Sequence, residues 1–397
     1  MEVASAQSCA ENSECALEEI ADTLAIADRG APDFVAVHFG AGRPCEALRD
    51  SCSRQLGAAA LHGGSSCLGV MTQNGVNIES GAGVAVLAIW DEQGSYGSAS
   101  VELGPDPESA ARKAAKQALH AAKRDGEVPE MVWLTVAPGR EEAVLAGLRG
   151  VVGPETLIVG GSSADNDVTG DWAQFGPETS HSDGLVVSVL FPSSPVASFY
   201  QSGYTPTGDS GKVTRIKGRR LYEIDGQPAA AVYSRWTDGA VQIAEDEPIS
   251  ILADATLWPL GRVTRHVAGV PFHLLAHPAR TYPDGSMELF ADLLEGDQIW
   301  QMQGSADRLV ARAGRIAAQA RNDAGNDIAA AFVIYCGGCM LAVRGRMEEV
   351  RVGIGTALGE VPWIGVFTFG EQGVPSGGQA EHGNLMISCT VIADPQP

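Results

Sequence analysis

Three stretches of this chain share one pattern, in which an apolar run ends in glycines and small hydroxyl residues. The pattern occurs at residues 61–66 (LHGGSS), 158–163 (IVGGSS) and 364–370 (IGVFTFG). Short apolar runs bounded by turn residues predict buried strands. Glycine lets the backbone come close to a ligand, and Ser or Thr hydroxyls supply hydrogen-bond donors and acceptors. Ordinary tight turns after buried strands have the same composition, but we expect at least one of these loops to line a cavity.

The stretch 328–389 predicts the clearest α/β unit. An apolar run of strand composition (329–335) precedes a helical pattern with apolar residues three or four apart (340–354), and further apolar runs follow at 362–369 and 385–387. Small and polar residues gather at the ends of these strands. Ligands in α/β folds tend to bind outside such strand ends, so this stretch predicts a pocket.

Elsewhere, turn signals such as Asn74-Gly75 favour antiparallel hairpins, and residues 131–159 predict a βαβ step. The sequence therefore predicts a mixed α/β fold of two mixed-sheet lobes with helices packed on the sheets. The boundary between the lobes is expected near a change of composition at residues 226–238. We expect a largely helical N-terminal extension at 1–30, with a helix near 15–28, then domains at 31–226 and 227–395.

Net charge and composition limit the kinds of partner that this chain can be expected to bind. The formal charge of −22 argues against nucleic acid and against anionic membrane surfaces. No run of eighteen apolar residues predicts a membrane span, and the first residues have no secretory pattern. The eight cysteines are scattered through the chain, which favours free thiols in a reducing cytoplasm. We therefore expect a cytoplasmic protein.

Cys336-x-x-Cys339 is the sharpest local motif, and it stands where a strand gives way to a helix. It is compatible with a thioredoxin-like redox pair, a structural zinc site, or a nucleophilic thiol activated by His382. The interpretation that we favour is a tight strand-to-helix turn with one thiol facing a cavity. No second C-x-x-C is present to complete a zinc site.

Four polar side chains are further candidates. Glu371 follows a strand within Gly370-Glu-Gln-Gly373, where a carboxylate can meet an amine or an arginine. Arg346 can bind a carboxylate through two parallel hydrogen bonds. Asp165 follows one of the Gly-Gly-Ser-Ser loops, where it can also cap a turn, and His382 precedes the last strand.

Several of these motifs resemble the FIST ("F-box and intracellular signal transduction") domain family with its N and C halves. The resemblance rests on residues 63–67 (GGSSC), 160–165 (GGSSAD), the hairpin 213–226, Cys336 with Arg346, and 367–388 (FTFGEQG to HGNLMIS). It implies a small-molecule sensory domain, with amino acids proposed as ligands. The resemblance and the loop pattern together give this set of candidate ligand-binding residues: Ser65, Ser66, Ser162, Ser163, Asp165, Cys336, Arg346, Glu371, His382 and Asn384.

The resemblance leaves two alternatives open. A subset of the family is described as haem-binding nitric oxide sensors that control partner kinases, and haem requires an axial ligand such as one of the eight histidines. A thiol-dependent hydrolase or redox enzyme using Cys336 or Cys339 is the other alternative. No G-x-S-x-G, H-E-x-x-H or P-loop motif is present. We therefore expect a sensor whose output passes through a partner protein.

Overall fold

The computed structural model describes residues 1–325 and 327–394, so residue 395, the last of the predicted second domain, lies outside the described residues. The predicted fold class is confirmed: the chain has mixed α/β lobes with helices packed on the sheets. Three units share one plan, in which strand, helix, strand, helix and strand are followed by a short hairpin and a closing strand.

The first unit starts at the second residue of the chain. Residues 1–30 provide a strand that pairs with the closing strand of this unit, followed by a helix that Asn12 caps through its side chain. The strand segment EVASAQS has no apolar alternation, so the sequence pattern did not predict it. The elements are β1 (Glu2–Ser8), α1 (Ser13–Thr23), α2 (Ile26–Arg29), β2 (Phe34–Gly40), α3 (Cys45–Gln55), β3 (Ala60–Ser66), β4 (Val70–Thr72), β5 (Gly75–Asn77) and β6 (Val84–Trp90).

The second unit repeats this plan. Its first helix is rich in alanine and begins at the cap Asp106, with proline in the first turn, as helix-start preferences predict. The elements are β7 (Ser95–Glu102), α4 (Pro107–Ala121), β8 (Met131–Val136), α5 (Glu141–Val152), β9 (Leu157–Ser162), β10 (Gln174–Phe175), β11 (Ser180–His181) and β12 (Gly184–Phe191).

The third unit begins with β13 (Val196–Ser202) and is then interrupted by an insert that forms a nine-stranded sheet. The insert has its own buried core, which includes Tyr233 and Ile299. Its elements are β14 (Thr205–Lys217), β15 (Arg220–Ile224), β16 (Gln227–Pro228), α6 (Ala229–Trp236), β17 (Ile249–Ser250), α7 (Leu252–Ala255), β18 (Leu260–Val267), β19 (Val270–Ala276), β20 (Pro278–Thr281), β21 (Met287–Leu289) and β22 (Gln298–Gln303).

After the insert the third unit resumes with its first helix, whose N-terminus Ser305 caps through its side chain. A short 3₁₀ turn at 344–346 separates the two helices that follow the next strand. The elements are α8 (Ala306–Asp323), β23 (Ile328–Cys336), α9 (Gly337–Ala342), α10 (Met347–Leu358), β24 (Trp363–Thr368), β25 (Glu371–Gly373), β26 (Glu381–Gly383) and β27 (Met386–Ala393).

Each unit completes its sheet with a hairpin borrowed from another unit. The three sheets have the orders β1-β6-β2-β3-β10-β11, β7-β12-β8-β9-β25-β26 and β13-β27-β23-β24-β4-β5. The first unit gives β4 and β5 to the third, the second gives β10 and β11 to the first, and the third gives β25 and β26 to the second. Since the exchange is cyclic, no unit has a complete sheet by itself.

The three sheets face a common core. Phe34, Trp133 and Phe332 come from the equivalent strands β2, β8 and β23, and all three are buried in one cluster. The rings of Trp133 and Phe332 have centroids 4.9 Å apart. The outer face of each sheet is covered by that unit's helices. Within the described residues, no helix has the length and apolar character that a membrane crossing requires.

The exchange of hairpins predicts that the first half cannot fold alone. A fragment of residues 1–227 would leave β4, β9 and β13 without their partners β24, β25 and β27. We expect no cooperative thermal transition for this fragment by circular dichroism, and recovery of a soluble complex when residues 228–397 are co-expressed. A cooperative transition of the isolated fragment close to that of the whole chain would contradict this expectation.

Candidate functional site

The three glycine-containing strand ends meet in space. Each end donates one backbone N–H to the carbonyl oxygen of another, so the ends of β3, β9 and β24 are joined in a closed ring. The three loops that share the sequence pattern therefore converge in the structure. The bonds run from Cys67 N to Phe367 O (2.9 Å), from Ala164 N to Ser65 O (3.1 Å) and from Phe369 N to Ser162 O (3.1 Å).

A cavity of about 210 Å³ lies beside this ring. All three strand ends contribute to its wall, and so do the turn into α9 and the insert around α7. The exposed residues Asn166, Val168 and Leu341 are on its rim. Its full lining is Cys67, Asn166, Val168, Leu252, Ala253, Thr256, His277, Phe290, Cys336, Gly338, Leu341, Ala342, Phe369 and Asn384.

Asn384 supplies an unused hydrogen-bond donor at the buried side of the cavity. Its Oδ1 accepts a hydrogen bond from the backbone N–H of His277 at 3.0 Å, which leaves Nδ2 as the free group. Nδ2 is buried and has no partner among the described residues. Because a buried donor without a partner costs about 1–3 kcal/mol, this atom is a natural contact for an acceptor on a ligand.

His277 is held as a neutral ring. Its Nε2 lies 3.0 Å from the carbonyl oxygen of Leu252 and 3.5 Å from Oγ1 of Thr256. Burial lowers the pKa of His277 to about 4, although the bond to Leu252 acts in the opposite direction. At neutral pH the cavity therefore has no positive charge from this residue.

Strained backbone surrounds the cavity. Leu68 (φ 59°), Val168 (φ 61°) and Leu385 (φ 56°) are left-handed, although bulky side chains disfavour this region. Leu68 and Leu385 directly follow the lining residues Cys67 and Asn384, and Val168 lines the cavity itself. The other non-glycine residues with positive φ in the described chain are alanine, lysine or aspartate. Such strain tends to occur at ligand sites and switch regions.

Cys336 and Glu371 form a buried pair at one wall. Burial and the nearby Cys339 raise the pKa of the Cys336 thiol, although backbone N–H groups oppose this effect. Burial and Cys336 likewise raise the pKa of Glu371 well above 4.5. The carboxyl group of Glu371 accepts bonds from Thr368 Oγ1 (2.8 Å) and Met386 N (2.9 Å). The Cys336 thiol, which lines the cavity, therefore keeps its proton at neutral pH. The raised pKa of Glu371, which is not part of the lining, favours its protonated form.

A second buried polar cluster joins two units to the insert. Arg219 donates to Glu141 and Glu142, each at 2.7 Å, and to Asp292 at 2.9 Å. Burial alone would raise the pKa of Glu141, but His382 and Arg219 lower it to about 2. Glu141, Glu142 and His382 are a possible group of metal ligands in the described chain. The guanidinium of Arg219 already bonds to both glutamate carboxylates and to Asp292, so the cluster serves as an internal ion-pair network.

The candidate residues from the sequence fall into three groups. Cys336 and Asn384 line the cavity. Arg346 is on the outer surface, bonded to Glu349 and Asp307. The other seven are buried around the cavity and the ring, where each is held by hydrogen bonds within the protein. These bonds include Ser65 to Ala173 N, Ser66 to Phe367 N, Ser162 to Glu141, Ser163 to Gln174, Asp165 to five backbone N–H groups, Glu371 to Met386 N, and His382 to Gln372.

Several lining residues were not among the sequence candidates. Cys67 and Phe369 lie within the motifs 63–67 and 364–370, and each directly follows the last residue of its strand. Their place in these motifs was the signal that could have added them to the candidates. His277, Thr256 and Phe290 come from the insert, whose weak periodicity gave no indication of where it packs. Only the tertiary structure shows that these three residues line the cavity.

The comparisons with known proteins define the class. A model of the FIST N domain matches residues 33–227, and a model of the FIST C domain matches residues 229–374. The chain therefore belongs to the FIST-domain family, whose domains are sensory domains of signal transduction.

No curated protein matches the chain. Among solved structures, the chain is similar to a crystal structure of cyanuric acid hydrolase from A. caulinodans, with a TM-score of 0.37, 9% sequence identity and 99% of each chain covered. A TM-score of this size supports no conclusion about the present chain.

The ion-pair cluster predicts a large effect of one arginine. The side chain of Arg219 is 15% exposed and that of Glu141 is 1% exposed. Arg219→Met would leave a buried carboxylate unpaired, so we expect a loss of about 3–5 kcal/mol in unfolding free energy by urea denaturation. Adding Glu141→Gln should restore part of it. Arg112→Met, which removes a surface pair with Glu108, should cost at most about 0.5 kcal/mol. Equal effects of the two arginine changes would contradict the role of the cluster.

Glu371 predicts a specific pH dependence. Because its pKa is higher in the folded than in the unfolded state, the folded protein binds an extra proton above pH 4.5, and stability falls as pH rises through that window. Glu371→Gln, which is always neutral, should gain stability relative to wild type between pH 5 and pH 8 in urea titrations. The exposed Glu79→Gln should give a constant difference. A flat difference for Glu371→Gln would show that the carboxyl group ionises freely.

Proposed function

We propose that the cavity beside the ring of strand ends is the sensory site, and that it binds a small, neutral, largely apolar molecule with one hydrogen-bond acceptor. The observation that carries the proposal is the unpartnered Nδ2 of Asn384, a buried residue that lines a cavity with mainly apolar walls. A few placed polar groups in an apolar pocket are typical of small-molecule sites, where they orient the ligand.

Charge distinguishes this ligand from an amino acid. Among the described residues that line the cavity, none is Asp, Glu, Lys or Arg. An ionised group buried without a partner carries a large desolvation cost, and Arg346 is engaged with Glu349 on the outer surface. The electrostatics therefore favour a neutral ligand over the zwitterion that the family resemblance implies.

The residues around the cavity do not fit a haem. His277 is the histidine in the described lining, and its Nε2 is bonded to the carbonyl oxygen of Leu252. A volume of about 210 Å³ is also below the usual range of 300–1,000 Å³ for pockets that bind drug-sized molecules and cofactors. A thiol enzyme using Cys336 is also disfavoured, because the raised pKa of Cys336 keeps its thiol protonated. Cys339, the other candidate thiol, is fully buried and does not line the cavity.

The proposed signal is a change in how the rim packs. Five backbone N–H groups of residues 167–171 donate to Asp165, which holds the loop that bears the rim residues Asn166 and Val168. Leu341, 46% exposed, is another apolar rim residue. A ligand that contacts both the loop and α9 would change the surface at the mouth of the cavity, where a partner protein could detect it. The output through a partner remains part of the proposal.

A thermal-shift screen tests the proposal. Neutral ketones, esters, lactones and primary amides form one arm, amino acids the second and haem the third. We expect stabilisation in the neutral arm only. A ligand at a hundred times its Kd should add about 2.7 kcal/mol. A flat neutral arm, or stabilisation by amino acids or haem alone, would refute the neutral-ligand proposal.

A blocking variant shows whether a hit binds in the cavity. Ala342, the last residue of α9, is exposed at the rim, so Ala342→Phe should fill the mouth without disturbing the core. We expect this variant to fold normally and to lose the ligand-induced shift. Ala121→Phe makes the same change at the exposed end of α4 and should respond as wild type does. An unchanged shift in Ala342→Phe would place the ligand elsewhere.

A further inference from the structure

A groove of about 600 Å³ lies between α8, the start of β14 and the strand β19. Three arginines of α8, Arg308, Arg312 and Arg315, line it. They are four and three residues apart, so they project from one side of the helix. The groove shares no lining residue with the cavity in the described chain, and its location does not depend on the proposed sensory ligand.

These arginines face no carboxylate. None of the three takes part in an ion pair in the described chain, and no acidic residue lines the groove. The contacts of Arg308 and Arg315 are to uncharged oxygens, Oγ1 of Thr205 at 2.7 Å and the carbonyl of Ala311 at 3.4 Å. A concentration of unpaired positive charge is unusual in a chain with a formal charge of −22.

Arg312 adds a second observation. Its Nε is buried and has no hydrogen-bond partner in the described structure. Burial and the proximity of Arg315 both lower the pKa of its guanidinium, which shows that two like charges are held close together. A bound anion would relieve the repulsion between these two guanidinium groups.

From this arrangement we propose that the groove binds the phosphate group of a small phosphorylated or pyrophosphate-type anion. Guanidinium groups present several N–H donors in a plane that matches phosphate oxygens. Three of them on one helix face suit a group with more than one negative charge. The aromatic rings of Tyr204 and His273 complete the groove and can contact the remainder of such a molecule.

Isothermal titration of the whole protein with inorganic pyrophosphate, at constant ionic strength, tests this proposal. We expect saturable binding that weakens by about tenfold or more in Arg312→Gln, since a charge-assisted hydrogen bond is lost. Arg312→Lys, which keeps the charge but not the planar fork, should retain part of the affinity. Lys116→Gln, on the equivalent helix α4 of the second unit, removes the same charge and should bind as wild type does.

Three outcomes would overturn the proposal. They are no binding of pyrophosphate to wild type, equal weakening in Arg312→Gln and Lys116→Gln, or binding of an acidic peptide such as oligoglutamate in the absence of pyrophosphate binding. Melting temperatures of each variant, measured without anion, separate a lost site from a lost fold.

Discussion

The ring of three backbone hydrogen bonds between the ends of β3, β9 and β24 is the constraint on which the rest of the structure depends. The bonds require three strand ends to lie within about 3 Å of one another, and glycine makes that approach possible. At Gly161, for example, a Cβ would lie 2.2 Å from Cγ2 of Thr368. The exchanged hairpins pair with β3, β9 and β24 directly beside these ends. The ring and the hairpin exchange therefore hold the same three strand ends in place.

This arrangement also explains where the cavity is. A ring of short loops cannot fill the space above it, and the insert of the third unit covers that space with Thr256, His277 and Phe290. The walls are uncharged because the described lining has no Asp, Glu, Lys or Arg, and because burial keeps Cys336 protonated and His277 neutral. Arg219 instead bonds to three carboxylates, whereas Arg308, Arg312 and Arg315 of α8 form no ion pair in the described chain. The molecule thus separates a neutral pocket from an anion-attracting groove.

Much of the secondary structure could be predicted because it depends on local pattern. Strand β8 and helix α8 follow from apolar runs and a capping serine. The hairpin that Asn74-Gly75 indicates does form between β4 and β5, with Gln73 and Asn74 in the turn and Gly75 paired with Thr72. Strand β1 could not be predicted, since its residues are small and polar and it is held by pairing with β6. The position of the Arg346 side chain could not be predicted either, because it depends on hydrogen bonds to Glu349 and Asp307 on the outer surface.

The sequence by itself determined the mixed α/β class, the three similar strand ends and the family, because these depend on composition and spacing along the chain. Only the tertiary structure decided that the strand ends close into a ring, that each unit lends a hairpin to another, and that insert residues complete the cavity. The physical reason is that strand pairing and cavity walls join residues far apart in the chain. Their contacts, such as the one between Cys67 and Phe367, leave no periodic trace in the sequence.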